Sequence, residues 1–320
     1  MTKGRGRPGL LALALALSPS LASAHPIPGL EAAARPGWTL DPAVTVPLAL
    51  AAALFGAGWV RLHRRSALGR RELGRRGGVF AAGWCCLAAA LVSPLHQAGE
   101  RSFAAHMVEH ETLMLAAAPL LVLSRPLAVM LWAFPAGGRR ALGGAARTGW
   151  IQAPWRALTE PFTATFLQAA ALWLWHVPGL FDLALGSAGW HVVQHLCFLV
   201  TALLFWSAVL PAHQRKRLAR ATACLFITSI VTGALGAFMA FSASPWYARY
   251  AALGMDAWGL SPAEDQQLAG LLMWIPGGLV HAAAALVLLW GALNSRSASG
   301  GTVSSADRLV GPEVASPRHG

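Results

Sequence analysis

The sequence has few charged residues and even fewer acidic ones. Only 12% of its 320 residues are charged, with 25 Lys and Arg against 13 Asp and Glu, whereas 56% are hydrophobic. This composition offers too little polar surface to cover a soluble globule of that size. It therefore excludes an ordinary soluble domain and predicts that the bilayer is the solvent for most of the chain.

Cysteine is scarce as well, and no pair is spaced for thiol chemistry. Cys85 and Cys86 are adjacent, and Cys197 and Cys224 are isolated in two other apolar runs, so the sequence contains no CxxC motif. We therefore expect neither a disulfide framework nor a thiol metal shuttle.

The positive charge, formally +12, is not arranged for binding nucleic acid. Lys and Arg fall in short clusters between apolar runs rather than on one face. Clusters of this kind set the topology of a membrane protein. We expect the lipid bilayer, and no nucleic acid, as a partner.

Seven apolar runs are long enough to cross a bilayer. They lie near residues 44–62, 78–95, 105–124, 162–178, 190–210, 219–241 and 268–293. The sequence therefore predicts an all-α polytopic membrane protein, a seven-transmembrane helix bundle over residues 44–293.

The two ends of the chain differ from this bundle. Residues 1–24 combine a basic start, an apolar stretch from Leu10 to Leu17 and small residues at 22–24, which is typical of a cleavable signal peptide; an uncleaved anchor is the alternative. Residues 25–43 would form a periplasmic segment. The Ser-, Gly- and Pro-rich residues 294–320 are predicted to be a disordered tail.

Basic residues occupy alternate links between the runs. The links 61–76, 125–161 and 211–220 are rich in Arg and Lys, whereas the opposite links hold most of the acidic residues. By the positive-inside rule, the links rich in Arg and Lys and the C-terminus are cytoplasmic, and the N-terminus is periplasmic. We expect a multi-pass protein of the bacterial inner membrane.

Six histidines map to the outer, periplasmic ends of these runs. Two pairs are spaced four residues apart, so on helices each pair would project from one face. Neutral imidazoles converging from several helices are a common way to build a site for Cu, Zn, Fe or Ni. The predicted metal ligands are His96, His106, His110, His176, His191 and His195.

Further residues could add to such a site. Thioether sulfur beside imidazole favours copper, and an ionisable group deep in a span is a candidate for function. Glu109 and Glu111 could accept hydrogen bonds from imidazole N–H groups. The additional candidate ligands are Met107, Met273, His281, Asp265, Gln266 and, as the amino terminus after cleavage, His25.

Several motifs occur together in one order along the chain. They are SPLH (93–96), HMVEH (106–110), APLL (118–121), RPL (125–127), WHVPGLFDLAL (175–185), HVVQH (191–195) and DQQLAGLLMWIPGG (265–278). With these motifs the chain resembles the CtaG-type cytochrome c oxidase assembly factors, the seven-helix, Bacillus-type CtaG family, over roughly residues 44–293.

The resemblance implies a non-enzymatic role in maturing a haem-copper oxidase, with copper as the metal handled. It also implies oxidase subunits and a periplasmic copper chaperone as partners. On the matching motifs it points to the same six histidines, together with Asp265, Gln266 and Met273.

The residues alone leave other interpretations open. Histidines at the ends of spans can lie at the headgroup level or hydrogen-bond to neighbouring helices. Histidines from different helices could instead ligate haem in a membrane cytochrome. A metal-dependent membrane enzyme or a copper-uptake transporter is a further alternative, for which only His281 suggests a path through the bilayer.

Overall fold

The computed structural model describes residues 36–65, 69–210, 215–256 and 258–300, with only the backbone of 215–216 and 295–300. Within these ranges the chain forms helices and no strand, which confirms the all-α prediction. The helices are α1 (Pro42–Arg65), α2 (Arg70–Val92), α3 (Pro94–Gly99), α4 (Phe103–Glu111), α5 (Ala118–Ser124), α6 (Pro126–Met130), α7 (Ala136–Ala145), α8 (Gly149–Leu158), α9 (Pro161–Trp175), α10 (Pro178–Gly186), α11 (Ala188–Val209), α12 (Arg215–Ala240), α13 (Ala248–Leu253) and α14 (Pro262–Gly300).

Six helical segments of the described residues are long and apolar enough to cross a membrane. In the described ranges, α1, α2, α11, α12, α14 and the continuous segment Phe103–Ser124 each meet that requirement, and the bent pair α9 and α10 adds a seventh span if it is counted as one. The chain is therefore a multi-pass membrane protein, as its hydropathy predicts.

The fourth span differs from its predicted form, because the helix stops early. Helix α9 ends at Trp175, and α10 leaves it at an angle of 76°. Pro178 explains the break, since it lacks an N–H group and restricts Val177 to an extended conformation (φ −62°, ψ 127°). The 15 residues of α9 span roughly 22 Å at the rise of an α-helix, less than a bilayer core. His176 lies at this bend.

The third span contains a wider, π-helical turn at Thr112–Ala117, which joins α4 to α5. Pro119 follows it and has no N–H group to offer the carbonyl four residues earlier, which favours a local change of helical pitch. Such turns often mark functional positions in helices. This one begins directly after Glu111.

Helices α12 and α14 pack backbone against backbone. A Cβ added to Gly236 would lie 2.7 Å from the carbonyl oxygen of Gly270, so only glycine fits. Small residues allow membrane helices to approach in this way. The contact fixes the first turns of α14, which carry Asp265 and Gln266.

Successive spans run in opposite directions, so alternate links between them lie at the same end of the bundle. The six predicted histidine ligands belong to one end. At the opposite end Arg61 donates to the carbonyl of Ala133 at 2.7 Å, which joins the last turns of α1 to the segment after α6.

Both chain ends extend past what the structure describes. The predicted signal peptide, residues 1–24, and His25 lie outside the described residues. Helix α14 continues through Gly300, beyond the predicted start of the tail at residue 294, and the rest of that tail is also outside the described residues.

Candidate metal centre

Six histidines meet at one end of the bundle, from four parts of the chain. Their rings are in direct contact: the centroids of His106 and His110 are 4.3 Å apart, those of His191 and His195 are 4.3 Å apart, and His106 lies 5.2 Å from His191. We call these side chains the histidine cluster: His96 on α3, His106 and His110 on α4, His176 at the bend between α9 and α10, and His191 and His195 on α11.

Two groups of three residues in and around the cluster have potential ligand atoms close enough to share one ion. His106, His191 and His195 form the first, with all ligand atoms within 4.8 Å of one another. His96, Glu109 and His195 form the second by the same measure. His195 belongs to both, so it lies at the centre of the arrangement.

Most ring nitrogens in the cluster have no hydrogen-bond partner, although they are buried. The unpartnered atoms are Nδ1 and Nε2 of His106 and of His110, and Nε2 of His176, His191 and His195. Buried polar atoms in proteins are nearly always bonded, and leaving one unmet is costly. A metal ion would accept the lone pairs of these nitrogens, so the donor set fits one.

Glu109 is the acidic group inside the cluster. Its side chain is fully buried, and Oε1 lies 2.8 Å from Nδ1 of His96 and 3.4 Å from Nε2 of His195. Burial opposes protonation of His96, yet the hydrogen bond to Glu109 prevails, and the pKa of His96 is raised above its ordinary value. Glu109 can therefore orient His96 or itself ligate a cation.

His176 lies at the inner edge of the cluster. Its Nδ1 is 2.7 Å from the carbonyl oxygen of Leu172. Because a carbonyl only accepts, Nδ1 carries the proton, and Nε2 of the neutral ring keeps its lone pair. The ring centroid of His176 is 6.4 Å from that of His110.

Asp265 holds the start of the helix that carries the HMVEH motif. Its carboxylate accepts from the Ser102 hydroxyl at 2.8 Å and from the backbone N–H groups of Phe103 (2.6 Å) and Ala104 (3.0 Å). An acidic side chain satisfies the unpaired N–H groups of a helix N-terminus. Asp265, a candidate ligand in the sequence, thus caps α4 within one turn of His106.

Gln266 fastens the segment between α12 and α13 to α14. Its Oε1 accepts from the backbone N–H of Trp246 at 2.6 Å, and its Nε2 donates to the carbonyl of Ser244 at 3.2 Å. Through these contacts Gln266 stabilises the backbone near the histidine cluster.

The sequence has only two tyrosines, and both cover the cluster from the α12–α14 connection. Tyr247 donates to the carbonyl oxygen of His176 at 3.0 Å, and Tyr250 donates to that of Gly99 at 2.5 Å. Burial raises the pKa of Tyr250, so its hydroxyl stays a donor. Sequence reasoning missed both, although two tyrosines three residues apart in such a chain were a usable signal.

A family model described as "Cytochrome c oxidase caa3 assembly factor (Caa3_CtaG)" matches residues 53–295. The chain belongs to this family. The matched range contains all six cluster histidines, Glu109 and Asp265. No curated protein and no solved structure matches the chain.

In this assembly factor the two candidate methionines are core residues. Met107 and Met273 are each 1% exposed and pack in one apolar cluster with aromatic side chains such as Phe181 and Phe198. Packing accounts for their burial, so a role for either sulfur as a copper ligand stays a prediction.

His281 lies apart from the histidine cluster. It is buried, its Nδ1 is 2.7 Å from the carbonyl oxygen of Gly277, and its ring stacks on Trp206 with centroids 5.8 Å apart. Its neighbours are therefore those of a different, deeper region of the bundle.

Proposed function

We propose that this assembly factor binds copper in the histidine cluster and supplies it to, or holds it for, a maturing haem-copper oxidase. One observation carries the proposal: three imidazoles of different turns and helices, His106, His191 and His195, place ligand atoms within 4.8 Å of one another. His106 and His195 are buried in an apolar bundle. Neither ring nitrogen of His106 has a hydrogen-bond partner, and Nε2 of His195 lies 3.4 Å from the Glu109 carboxylate.

The chemistry of the ligands favours copper among the metals an oxidase uses. Neutral imidazole suits Cu, Zn, Fe and Ni rather than Mg or Ca, and a single carboxylate, Glu109, lies among the rings. The described cluster contains no thiolate, which would favour zinc or an iron–sulfur cluster. The family's assembly role on cytochrome c oxidase then makes copper the most economical assignment.

The exposure of the rings suggests how an ion would arrive and leave. The side chain of His96 is 17% exposed and that of His195 is 9%, whereas His106 and His110 are almost fully enclosed. His96 also stacks on His191, with centroids 5.2 Å apart. An ion would therefore reach the buried ligands through His96 and His191.

The charge pattern supports a periplasmic position for this end of the bundle in a bacterial inner membrane, because the Arg-rich links lie at the other end. Oxidase subunits are then the recipients, and a periplasmic copper chaperone is the donor. The protein is proposed to act by binding and release, without catalysing a reaction.

Haem is a weaker candidate for the same rings. An iron porphyrin with two histidine ligands needs a flat slot between them. Here His106, His191 and His195 pack directly on one another, with centroids 4.3 to 6.0 Å apart. A Soret band in the purified protein would overturn this choice.

The proposed function is tested in cells that depend on this chain for oxidase maturation. When His106, His191 and His195 are all changed to alanine, we expect oxidase purified from these cells to lose most of its copper relative to haem, because the recipient no longer receives the ion. The copper-to-haem ratio of the isolated oxidase is the measurement.

The matched control is His63→Ala, at the opposite end of the bundle, where the ring stacks on Trp59 with centroids 4.9 Å apart. It should leave the ratio at the wild-type value. A normal copper-to-haem ratio with the triple variant, present in the membrane at wild-type amounts, would refute copper delivery by the cluster.

A further inference from the structure

A second polar region lies deeper in the bundle, below the histidine cluster. It is a small enclosed space, with about 10 Å³ open to the centre of a water molecule. We call it the inner cavity. Its lining comes from five spans and comprises Glu111, Met114, Leu115, Gln168, Leu172, Phe205, Trp206, Thr228, Thr232, Gly277 and His281.

Three oxygen atoms in the inner cavity are buried without a hydrogen-bond partner. They are Oε2 of Glu111, Oε1 of Gln168 and Oγ1 of Thr228. These atoms come from three different helices, α4, α9 and α12. Unmet polar atoms of this kind are rare in a protein interior and indicate a missing partner.

His281 lines the same cavity and carries a nitrogen lone pair. Its Nδ1 bonds to the carbonyl oxygen of Gly277 at 2.7 Å and so must carry the ring proton. The neutral ring then has its lone pair on Nε2. A backbone carbonyl on the other ring nitrogen is the usual arrangement for a metal-binding histidine.

Helix α14 comes close to Glu111 at Gly277. A Cβ built there would lie 3.7 Å from Oε2 of Glu111 and 4.0 Å from Oγ1 of Thr232. The π-helical turn that follows Glu111 supplies Met114 and Leu115 to the same wall. The carboxylate, the Thr232 hydroxyl and the turn that carries His281 thus border one space.

A single water molecule does not satisfy this lining. Water donates two hydrogen bonds, whereas the carboxylate of Glu111, Oε1 of Gln168 and Nε2 of His281 are all acceptors. Once deprotonated, a carboxyl group within a membrane span also needs a counter-charge. Among the described residues that line the cavity there is no Lys or Arg to provide it.

We propose that the inner cavity is a second metal site, which binds one monovalent soft cation between the Glu111 carboxylate and the His281 imidazole. A monovalent ion makes the pair neutral, which suits an apolar interior. The space fits one ion without a hydration shell. The thioether of Met114 and the imidazole favour Cu(I) over Na⁺ or K⁺. The inference rests on the proposed function only in that copper is chosen as the ion to test.

The inner cavity adjoins the histidine cluster but is distinct from it. Leu172 separates the two, since its carbonyl oxygen accepts from His176 while the residue lines the cavity. An ion held here would lie farther from the periplasmic end than one held by His106, His191 and His195. The second site therefore extends copper binding into the membrane interior.

The test is the copper content of metal-free purified protein after equilibration with Cu(I) under reducing conditions. The wild type should bind two copper ions per chain, while Glu111→Gln and His281→Gln should each bind one. The triple change of His106, His191 and His195 to alanine should also leave one, and adding His281→Gln to it should leave none.

Thr201→Val is the matched control, because the hydroxyl of Thr201 bonds within its own helix, to the carbonyl of Cys197 at 2.8 Å, outside the cavity. It should bind two. Each variant must elute and unfold as the wild type does, and two independent variants guard against a folding defect in one. Full wild-type stoichiometry in both Glu111→Gln and His281→Gln would overturn the second site. Full stoichiometry in the triple variant alone would instead overturn copper binding by the cluster.

Discussion

Changing His195 to alanine should weaken copper binding by the histidine cluster by about 100-fold or more. Mutating a residue that only hydrogen-bonds to a metal ligand already lowers metal affinity by about 10 to 100-fold, and His195 is proposed as a ligand itself. His195 is the residue shared by both groups of ligand atoms, so neither group survives its loss. Its ring lies 5.1 Å from that of His110 and 6.0 Å from that of His106. Alanine would leave a gap between them that no other described side chain fills.

The dissociation constant is measured by competition with a copper chelator on purified protein. Because the inner cavity is proposed to bind copper independently, the comparison uses His195→Ala and the wild type in a His281→Gln background. His63→Ala in that background should bind as tightly as its parent. An affinity unchanged by His195→Ala would mean that copper, if bound, is held elsewhere.

Glu109→Gln is expected to weaken copper binding by about 10 to 100-fold, the usual effect of losing a group that orients a metal ligand. The carboxylate accepts from His96 at 2.8 Å and lies 3.4 Å from Nε2 of His195. A glutamine of the same shape offers one oxygen, without charge, and its amide N–H would compete for the ring lone pairs. The buried site would then lose the negative charge that balances a bound cation.

The same chelator competition measures this loss, and Glu100→Gln is the control. Glu100 follows α3 near His96, and its side chain is exposed, so solvent screens its charge. Its replacement should change the affinity less than twofold on the scale of exposed charges. Equal effects of the two substitutions would contradict a specific role for Glu109.

Local patterns in the sequence predicted a large part of this fold and site. Run length and hydropathy predicted the spans, because every backbone group in a bilayer must be bonded within a helix. The i, i+4 spacing of His106 with His110 and of His191 with His195 predicted that each pair shares a helix face. The alternation of spans predicted that both pairs lie at one end of the bundle.

Other features depend on partners far apart in the chain, and local patterns could not reveal them. Asp265 bonds to Phe103, 162 residues away, so its capping role needs the packing of α14 on α4. The inner cavity joins Glu111 to Gln168 and His281 from other helices. The early end of α9 could have been predicted, because Pro178 marks it in the sequence. Hydropathy alone missed it, since the apolar run extends to that proline.

X-ray absorption at the copper edge of the loaded protein tests the central claim most directly. With the inner cavity disabled by His281→Gln, we expect imidazole nitrogen scatterers at about 2 Å from the metal, the usual metal–imidazole distance. That signal should disappear when His106, His191 and His195 are all changed to alanine. A bound copper without imidazole scattering, or a spectrum that the triple change leaves intact, would contradict the account.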